Sequence, residues 1–358
     1  MSGRTRRALG AALAVPAILV GMAGLGAAQV IADPPPRPTA IVGLGDSYLS
    51  GEAAGSYVPG TDTADNACHR STLSLLAAAL DGPAGPDDAD AAASEAINLA
   101  CSGATTEAVR TTGSYGEPPQ LDGLRAVLTS HEVRAVVVSV GGNDLGFSTI
   151  IRECVFAYLP FVEDCNGAVA ARLPGLLATV GPQVGAVLDD VRAVLDEAGS
   201  DAAVILLSYP SPVTEKIRDP WLRALQGCPF TSTDLAYART GLTADIATAW
   251  SAVAAAHDAR YLDLSRSLEG HEVCAAGATE QTEWAKGIFV NTAQIRNGLG
   301  ANLVSQSLHP NATGHAQLGR CLRRFLATDD AAAQCLADPD DGGNLTAVTV
   351  VPGPSDGA

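Results

Sequence analysis

Ala40-Ile41-Val42-Gly43-Leu44-Gly45-Asp46-Ser47-Tyr48-Leu49-Ser50-Gly51 is an apolar run that ends in a glycine-rich polar turn. A strand buried on both faces of a parallel sheet reads as such a run, without the polar alternation of a half-exposed strand. A Ser just beyond its carboxyl end stands at the crevice where open α/β sheets bind ligands. Working outward, further β-rich runs cover Ala96–Ala100, Ala135–Val140, Ala203–Tyr209 and Tyr261–Leu264. Segments with apolar residues at helical spacing lie between them at Ser71–Leu80, Leu121–Ser130, Leu176–Ala198 and Asp234–His257, and Asn311–Ala327 closes the series. Strands alternating with helices predict an α/β fold, with a five-stranded parallel sheet covered on both faces. No repeat or composition shift divides 39–335, which reads as one domain. Asp81–Asp90 reads as a surface loop. Leu336–Ala358, with Asp338, Asp340, Asp341, Gly342 and Gly343, reads as a disordered tail.

Of the 358 residues 47% are hydrophobic and 17% charged, which supplies a large core and excludes a mostly disordered chain. Lys and Arg number 22 against 39 Asp and Glu, a net charge of −17. Such a surface repels phosphate backbones, so a nucleic-acid partner is not expected. Arg4, Arg6 and Arg7 followed by the apolar Ala8–Ala28 have the pattern of a secretory signal peptide. Small residues permit cleavage after Ala28 or Ala32, and Ala32 is preferred, which makes 1–32 the signal peptide and 33–38 a Pro-rich linker. The alternative is an uncleaved segment anchoring the chain in a membrane. Eight Cys without a Cys-x-x-Cys pair offer no zinc knuckle and suit disulfides in an exported protein.

A hydroxyl is a weak nucleophile until a base takes its proton, so Ser47 needs a His supplied from elsewhere in the fold. Of the six His, His309 in Ser307-Leu308-His309-Pro310-Asn311 follows the last strand and opens the closing helix, on the same side of the sheet. Two further loops follow strand ends, Cys101-Ser102-Gly103-Ala104 and Gly141-Gly142-Asn143-Asp144. A glycine N–H and an Asn amide are suitable donors for the oxygen that becomes negative in a tetrahedral intermediate. Taken singly, each motif reads as a turn or a helix cap, and Asp144 is read as structural. His315 is read as packing, because six residues from His309 is not a one-face helical spacing for a metal pair. His69, His131, His257 and His271 are read as solvated, and Trp284 as a residue that could line the pocket.

Together these blocks resemble the GDSL, or SGNH, hydrolase family, in particular its secreted actinobacterial esterase and lipase branch. Gly45-Asp46-Ser47 with Gly51-Glu52 resembles the nucleophile block, Gly103 the glycine block, Gly141-Gly142-Asn143-Asp144 the asparagine block and His309-Pro310-Asn311 the histidine block. The resemblance covers nearly all of 39–335. It implies a flavodoxin-like three-layer α/β/α sandwich, with Ser47 as nucleophile and His309 as base. It also implies an oxyanion hole from the Ser47 N–H, the Gly103 N–H and the Asn143 amide. No Gly-x-Ser-x-Gly elbow surrounds Ser47, so the ordinary α/β-hydrolase fold is not expected. Most members carry Asp three residues before the His, where this chain has Gln306. Some members use a main-chain carbonyl there, so the carbonyl of Gln306 is expected to orient His309. The resemblance further implies disulfides Cys68 with Cys101, Cys154 with Cys165 and Cys228 with Cys274, leaving Cys321 with Cys335. Sequence alone leaves 105 connectivities open.

The expected function is a secreted, monomeric serine esterase or lipase. It would cleave lipid or short-chain acyl esters through an acyl-enzyme on Ser47, with no metal or cofactor and with transient contact to a lipid surface. Two alternatives stand beside it: a non-catalytic wall-associated or surface-anchored protein that keeps the fold, and a carbohydrate deacetylase.

Overall fold

In the computed structural model, residues 37–81, 94–161, 163–288 and 306–350 are described. The expected signal peptide, most of the linker and 82–90 of the expected surface loop lie outside them. The opening run forms β1 (Thr39–Gly45), which pairs in parallel with β2 (Glu95–Asn98) on one side and β3 (Glu132–Ser139) on the other. β4 (Ala203–Leu207) and β5 (Arg260–Asp263) continue the sheet in parallel.

Alternate residues along these strands point to opposite faces, and each face has its own core. Ile41, Val137, Ile205, Leu207 and Leu262 meet helix α2 (Leu75–Leu80) and the closing helix on one side. Val42, Leu44, Val136, Val138, Val204 and Leu206 meet the other helices. These are α3 (Gln120–Ser130), α5 (Asn166–Glu197) and α7 (Thr243–Ala256). The result is the three-layer sandwich. Between β3 and α5 lies α4 (Phe147–Phe161), which the sequence reading did not place. Before α7 comes the short α6 (Ser232–Tyr237), and a π-helical turn at Ala238–Leu242 joins the two where one continuous helix was expected. α5 begins well before Leu176, because Val169 and Leu173 extend its buried stripe past Pro174.

Two expectations are corrected at the carboxyl end. The closing helix α8 (Ala312–Leu326) leads into β6 (Ala332–Ala337), which pairs in parallel with β5. The chain then turns through Asp338–Gly343 into β7 (Leu345–Thr349), antiparallel to β6. The sheet therefore has seven strands, in the order β2-β1-β3-β4-β5-β6-β7. Leu336–Val350 is an ordered hairpin arm, not a disordered tail, because Leu345 is fully buried against α8 and its disulfide-tied neighbour Cys335.

Candidate active site

At the carboxyl end of β1 the chain must turn sharply beside the end of β3. Gly45 adopts φ 138° there, and a Cβ would stand 1.8 Å from the Ser139 carbonyl oxygen, so only glycine fits. The next N–H, of Asp46, donates to that same oxygen at 2.8 Å. Asp46 then caps the short helix α1 (Ser47–Ser50), its Oδ1 accepting from the Tyr48 N–H at 3.1 Å. This places Ser47 at the first helical position, its side chain facing a cleft of about 400 Å³. Gly103, Asn143, Tyr115, Arg152 and His309 also line that cleft.

His309 arrives from the other end of the sequence. Its loop is fixed by main-chain bonds to Lys286 on both sides: Leu308 N–H donates to the Lys286 carbonyl at 2.7 Å, and Lys286 N–H to the His309 carbonyl at 3.0 Å. Asn311 caps α8 two residues on, accepting from the Gly314 N–H at 3.0 Å. His309 Nε2 lies 2.7 Å from Ser47 Oγ. Nδ1 lies 3.1 Å from the carbonyl oxygen of Ser307, so an Nδ1–H donating to that oxygen leaves the Nε2 lone pair toward the hydroxyl. This corrects the expectation for Gln306. Leu308, with φ 61°, turns the chain within one residue and presents the carbonyl two positions before the His, not three. The Gln306 side chain instead accepts from Lys286 Nζ at 3.2 Å. Tyr48 braces the arrangement, its hydroxyl donating to the Leu308 carbonyl at 3.1 Å and its ring 4.7 Å from the imidazole. Burial holds the His309 pKa below its ordinary value, with the charge of Glu52 and the Ser307 carbonyl working in the opposite direction.

Gly103 adopts φ 82°, a conformation that favours glycine. Asn143 Nδ2 donates one hydrogen to the Ala104 carbonyl at 2.9 Å, which orients the amide and leaves its second hydrogen for another acceptor. Asp144 accepts from the N–H and hydroxyl of Thr106, the structural role read from sequence. Beneath the cleft, Tyr209 joins two of the blocks: its hydroxyl donates to Asp46 Oδ2 at 2.5 Å and accepts from the Gly142 N–H at 2.9 Å. Burial pushes the Asp46 carboxyl up to about 7 against the effect of the Tyr209 bond. Nothing in the sequence marked Tyr209 beyond its place after β4.

The other histidines divide. His315 is fully buried, as expected of packing. His69 is buried as well, contrary to the solvated reading, because Glu52 and the Tyr57 ring enclose it. His257 pairs with Asp189, and His271 stacks on Trp284, which does not line the cleft. Four disulfides join Cys68 to Cys101, Cys154 to Cys165, Cys228 to Cys274 and Cys321 to Cys335. Among the described residues no cluster of His, Cys, Asp and Glu could hold a metal ion. An apolar cavity of about 100 Å³ adjoins the cleft, sharing Tyr48, Phe147, Ile151, Tyr209 and Leu308 with it and continuing between Ile150, Val169, Val213, Phe230 and Leu235.

The model of the GDSL-like Lipase/Acylhydrolase family matches residues 44–317. Lipase 1 of Streptomyces coelicolor is 27% identical over 305 residues, 84% of this chain and 91% of that protein. A lipase of Streptomyces rimosus is 27% identical over 303 residues, 83% of this chain and 90% of the other. Among solved structures, phospholipase A1 from Streptomyces albidoflavus NA297 has 26% identity and a TM-score of 0.53, covering 78% of this chain and 95% of its own. The extracellular lipase of Streptomyces rimosus, at 24% identity and a TM-score of 0.53 over 81% of this chain and all of its own, shares the fold.

Proposed function

We propose, from the premise that this chain belongs to the GDSL-like lipase/acylhydrolase family and is a carboxylic ester hydrolase, that it is an exported serine esterase working through an acyl-enzyme on Ser47. The observation that carries the reading is the continuous contact from the Ser307 carbonyl through His309 to Ser47 Oγ. His309 Nε2 takes the hydroxyl proton as Oγ attacks the ester carbonyl carbon. The oxygen that becomes negative is met by the N–H groups of Ser47 and Gly103 and the second hydrogen of the Asn143 amide. Collapse of the tetrahedral intermediate expels the alcohol, which receives the proton from His309. Water, deprotonated in turn by Nε2, then releases the acid and restores Ser47. The third group is a neutral carbonyl, so it fixes the tautomer and stabilises the imidazolium less than a carboxylate would.

The adjoining apolar cavity supports an acyl chain as the substrate part bound beside Ser47, since an apolar slot rewards each buried methylene by about 0.8 kcal/mol. Export is supported by the disulfides, which suit an oxidising compartment, and by the basic and apolar residues at 1–32, proposed to be a signal peptide with 33–38 as its linker. Labelling with a fluorophosphonate ester tests the mechanism. The wild type should be modified at Ser47, and Ser47→Ala should neither label nor hydrolyse an activated aryl ester above about 10⁻³ of the wild-type rate. An unlabelled, inactive wild type would favour a binding protein with the same fold. Esters of increasing acyl length test the substrate: kcat/KM should rise with chain length until the cavity is full, and Val213→Phe should shorten the preferred chain.

A further inference from the structure

The chemistry described above does not use the side chain of Glu52. Glu52, in the turn after α1, is fully buried, and a carboxylate withdrawn from water costs several kcal/mol unless protein groups replace the lost hydrogen bonds. Its main chain alone would shape the turn, the N–H donating to the Ser47 carbonyl at 3.1 Å. The side chain does something else. Oε2 accepts from the Ser102 hydroxyl and lies 2.7 Å from His69 Nδ1, while Oε1 has no hydrogen-bond partner among the described residues.

The partners' positions give the carboxylate its meaning. Ser102 immediately precedes Gly103. Its own N–H donates to the Cys68 carbonyl at 3.0 Å, and the Cys68–Cys101 disulfide fastens the loop one residue earlier. His69 follows Cys68 in the chain, is stacked on Tyr57 with centroids 5.0 Å apart, and faces Asp62 with Nε2 at 3.3 Å. Three segments, the turn after Ser47, the loop before Gly103 and the strand of chain around His69, therefore converge on one carboxylate oxygen.

We propose that Glu52 is a positioning residue for the oxyanion hole: through the Ser102 hydroxyl it fixes the Gly103 N–H relative to the Ser47 N–H, so that both donors meet one developing oxyanion. The inference rests on the catalytic roles proposed for Ser47 and Gly103. Oxyanion donors act because they are already in place when charge develops, and a misplacement of about 1 Å costs as much as about 10² in rate. The Ser102 and Ala104 N–H groups donate to the Cys68 and Cys101 carbonyls at 3.0 Å each and hold the ends of the turn, and the Ser102 hydroxyl bond to Glu52 ties the residue before Gly103 by its side chain as well.

The test compares wild type, Ser47→Ala, Ser102→Ala, Glu52→Gln and the Ser102→Ala/Glu52→Gln double variant, each assayed for kcat and KM on an activated aryl ester and for Tm. Ser102→Ala should lower kcat about 10- to 100-fold with KM within about twofold, because ground-state binding does not use the hole. Glu52→Gln should lower kcat at least as far, and the double variant should be no slower than Glu52→Gln, because both changes release the same loop. Kcat within about twofold of wild type in both single variants, or losses that multiply in the double variant, would overturn the proposal while leaving the Ser47 chemistry intact. Inactive wild type, or full activity in Ser47→Ala, would instead overturn the function itself. Should Glu52→Gln fail to fold, Ser102→Ala decides alone, since it deletes a single hydroxyl.

Discussion

Lowering the pH from about 7.5 to about 4.5 should weaken the fold through a single residue, His315, by about 2.5 kcal/mol. Its ring is fully buried where α8 packs on α2. The Leu75 N–H donates to Nδ1 at 3.2 Å, and Nε2 lies 3.4 Å from the Glu52 carbonyl oxygen, so the ring carries its hydrogen on Nε2. A second proton, on Nδ1, would face the Leu75 N–H with no acceptor. Burial accordingly pushes the pKa from 6.5 down to about 4, the Glu52 carbonyl opposing and the charge of His309 assisting. The folded value lies below the unfolded one, so the unfolded chain takes up the proton first. The stability is complete above pH 6.5 and is lost as pH falls toward 4, at about 1.4 kcal/mol per pH unit while only the unfolded state is protonated. Other groups titrate over the same range, so the measurement is a difference. Urea unfolding of wild type and His315→Asn is compared at both pH values, the Asn carbonyl keeping an acceptor for the Leu75 N–H. Wild type should be the more stable at pH 7.5, by the volume of the ring that Asn does not fill, and that advantage should shrink by about 2.5 kcal/mol at pH 4.5. An advantage unchanged within about 0.5 kcal/mol would show that the ring is not held neutral by its surroundings.

Asn143→Ala should lower kcat by about 10² to 10³ with little change in KM, read by steady-state kinetics on an aryl ester; an unchanged kcat would remove the amide from the oxyanion hole. Gln306→Ala should leave kcat/KM within about threefold of wild type, because the Ser307 carbonyl remains against Nδ1, and a loss above about tenfold would give the Gln306 side chain the orienting role. Leu345→Ala should destabilise by about 2–4 kcal/mol in chemical denaturation, as expected for emptying a fully buried site; a cost under about 0.5 kcal/mol would mean that the β7 arm does not contribute to the core.

The elements that can be read from sequence are those whose own residues carry the signal. β1, β4 and the part of β3 from Ala135 onward are buried on both faces, and their apolar runs announce them to within three residues of their observed ends, the exposed Glu132 and Arg134 hiding the start of β3. β7 carries a signal of another kind. Leu345, Ala347 and Thr349 alternate with Thr346 and Val348, but the acidic, glycine-rich residues before them dominate the composition, and only docking against α8 makes the arm a strand. The pairing of Ser47 with His309, the proposed nucleophile and base, was legible because their motifs follow strand ends. What oriented them was not. Every residue carries a main-chain carbonyl like that of Ser307, and the left-handed Leu308 decides which one reaches Nδ1. Tyr209 and Asp46 touch across 163 residues, and Ser102 and Glu52 across 50, separations at which neither periodicity nor spacing carries information.

Ser47 and His309 are held in contact across 262 residues, one beside the second strand of the sheet's order and the other from the chain between β5 and β6. Contacts of such separation form late, because the loop-closure entropy must be met before the pairing returns any stabilisation. Synthesis proceeds from the amino terminus, so β1 and its serine emerge while α8, the helix that closes over α2, does not yet exist. On the proposed Ser47–His309 mechanism, a nascent chain is therefore chemically silent until the His309 loop and α8 have docked beside β1.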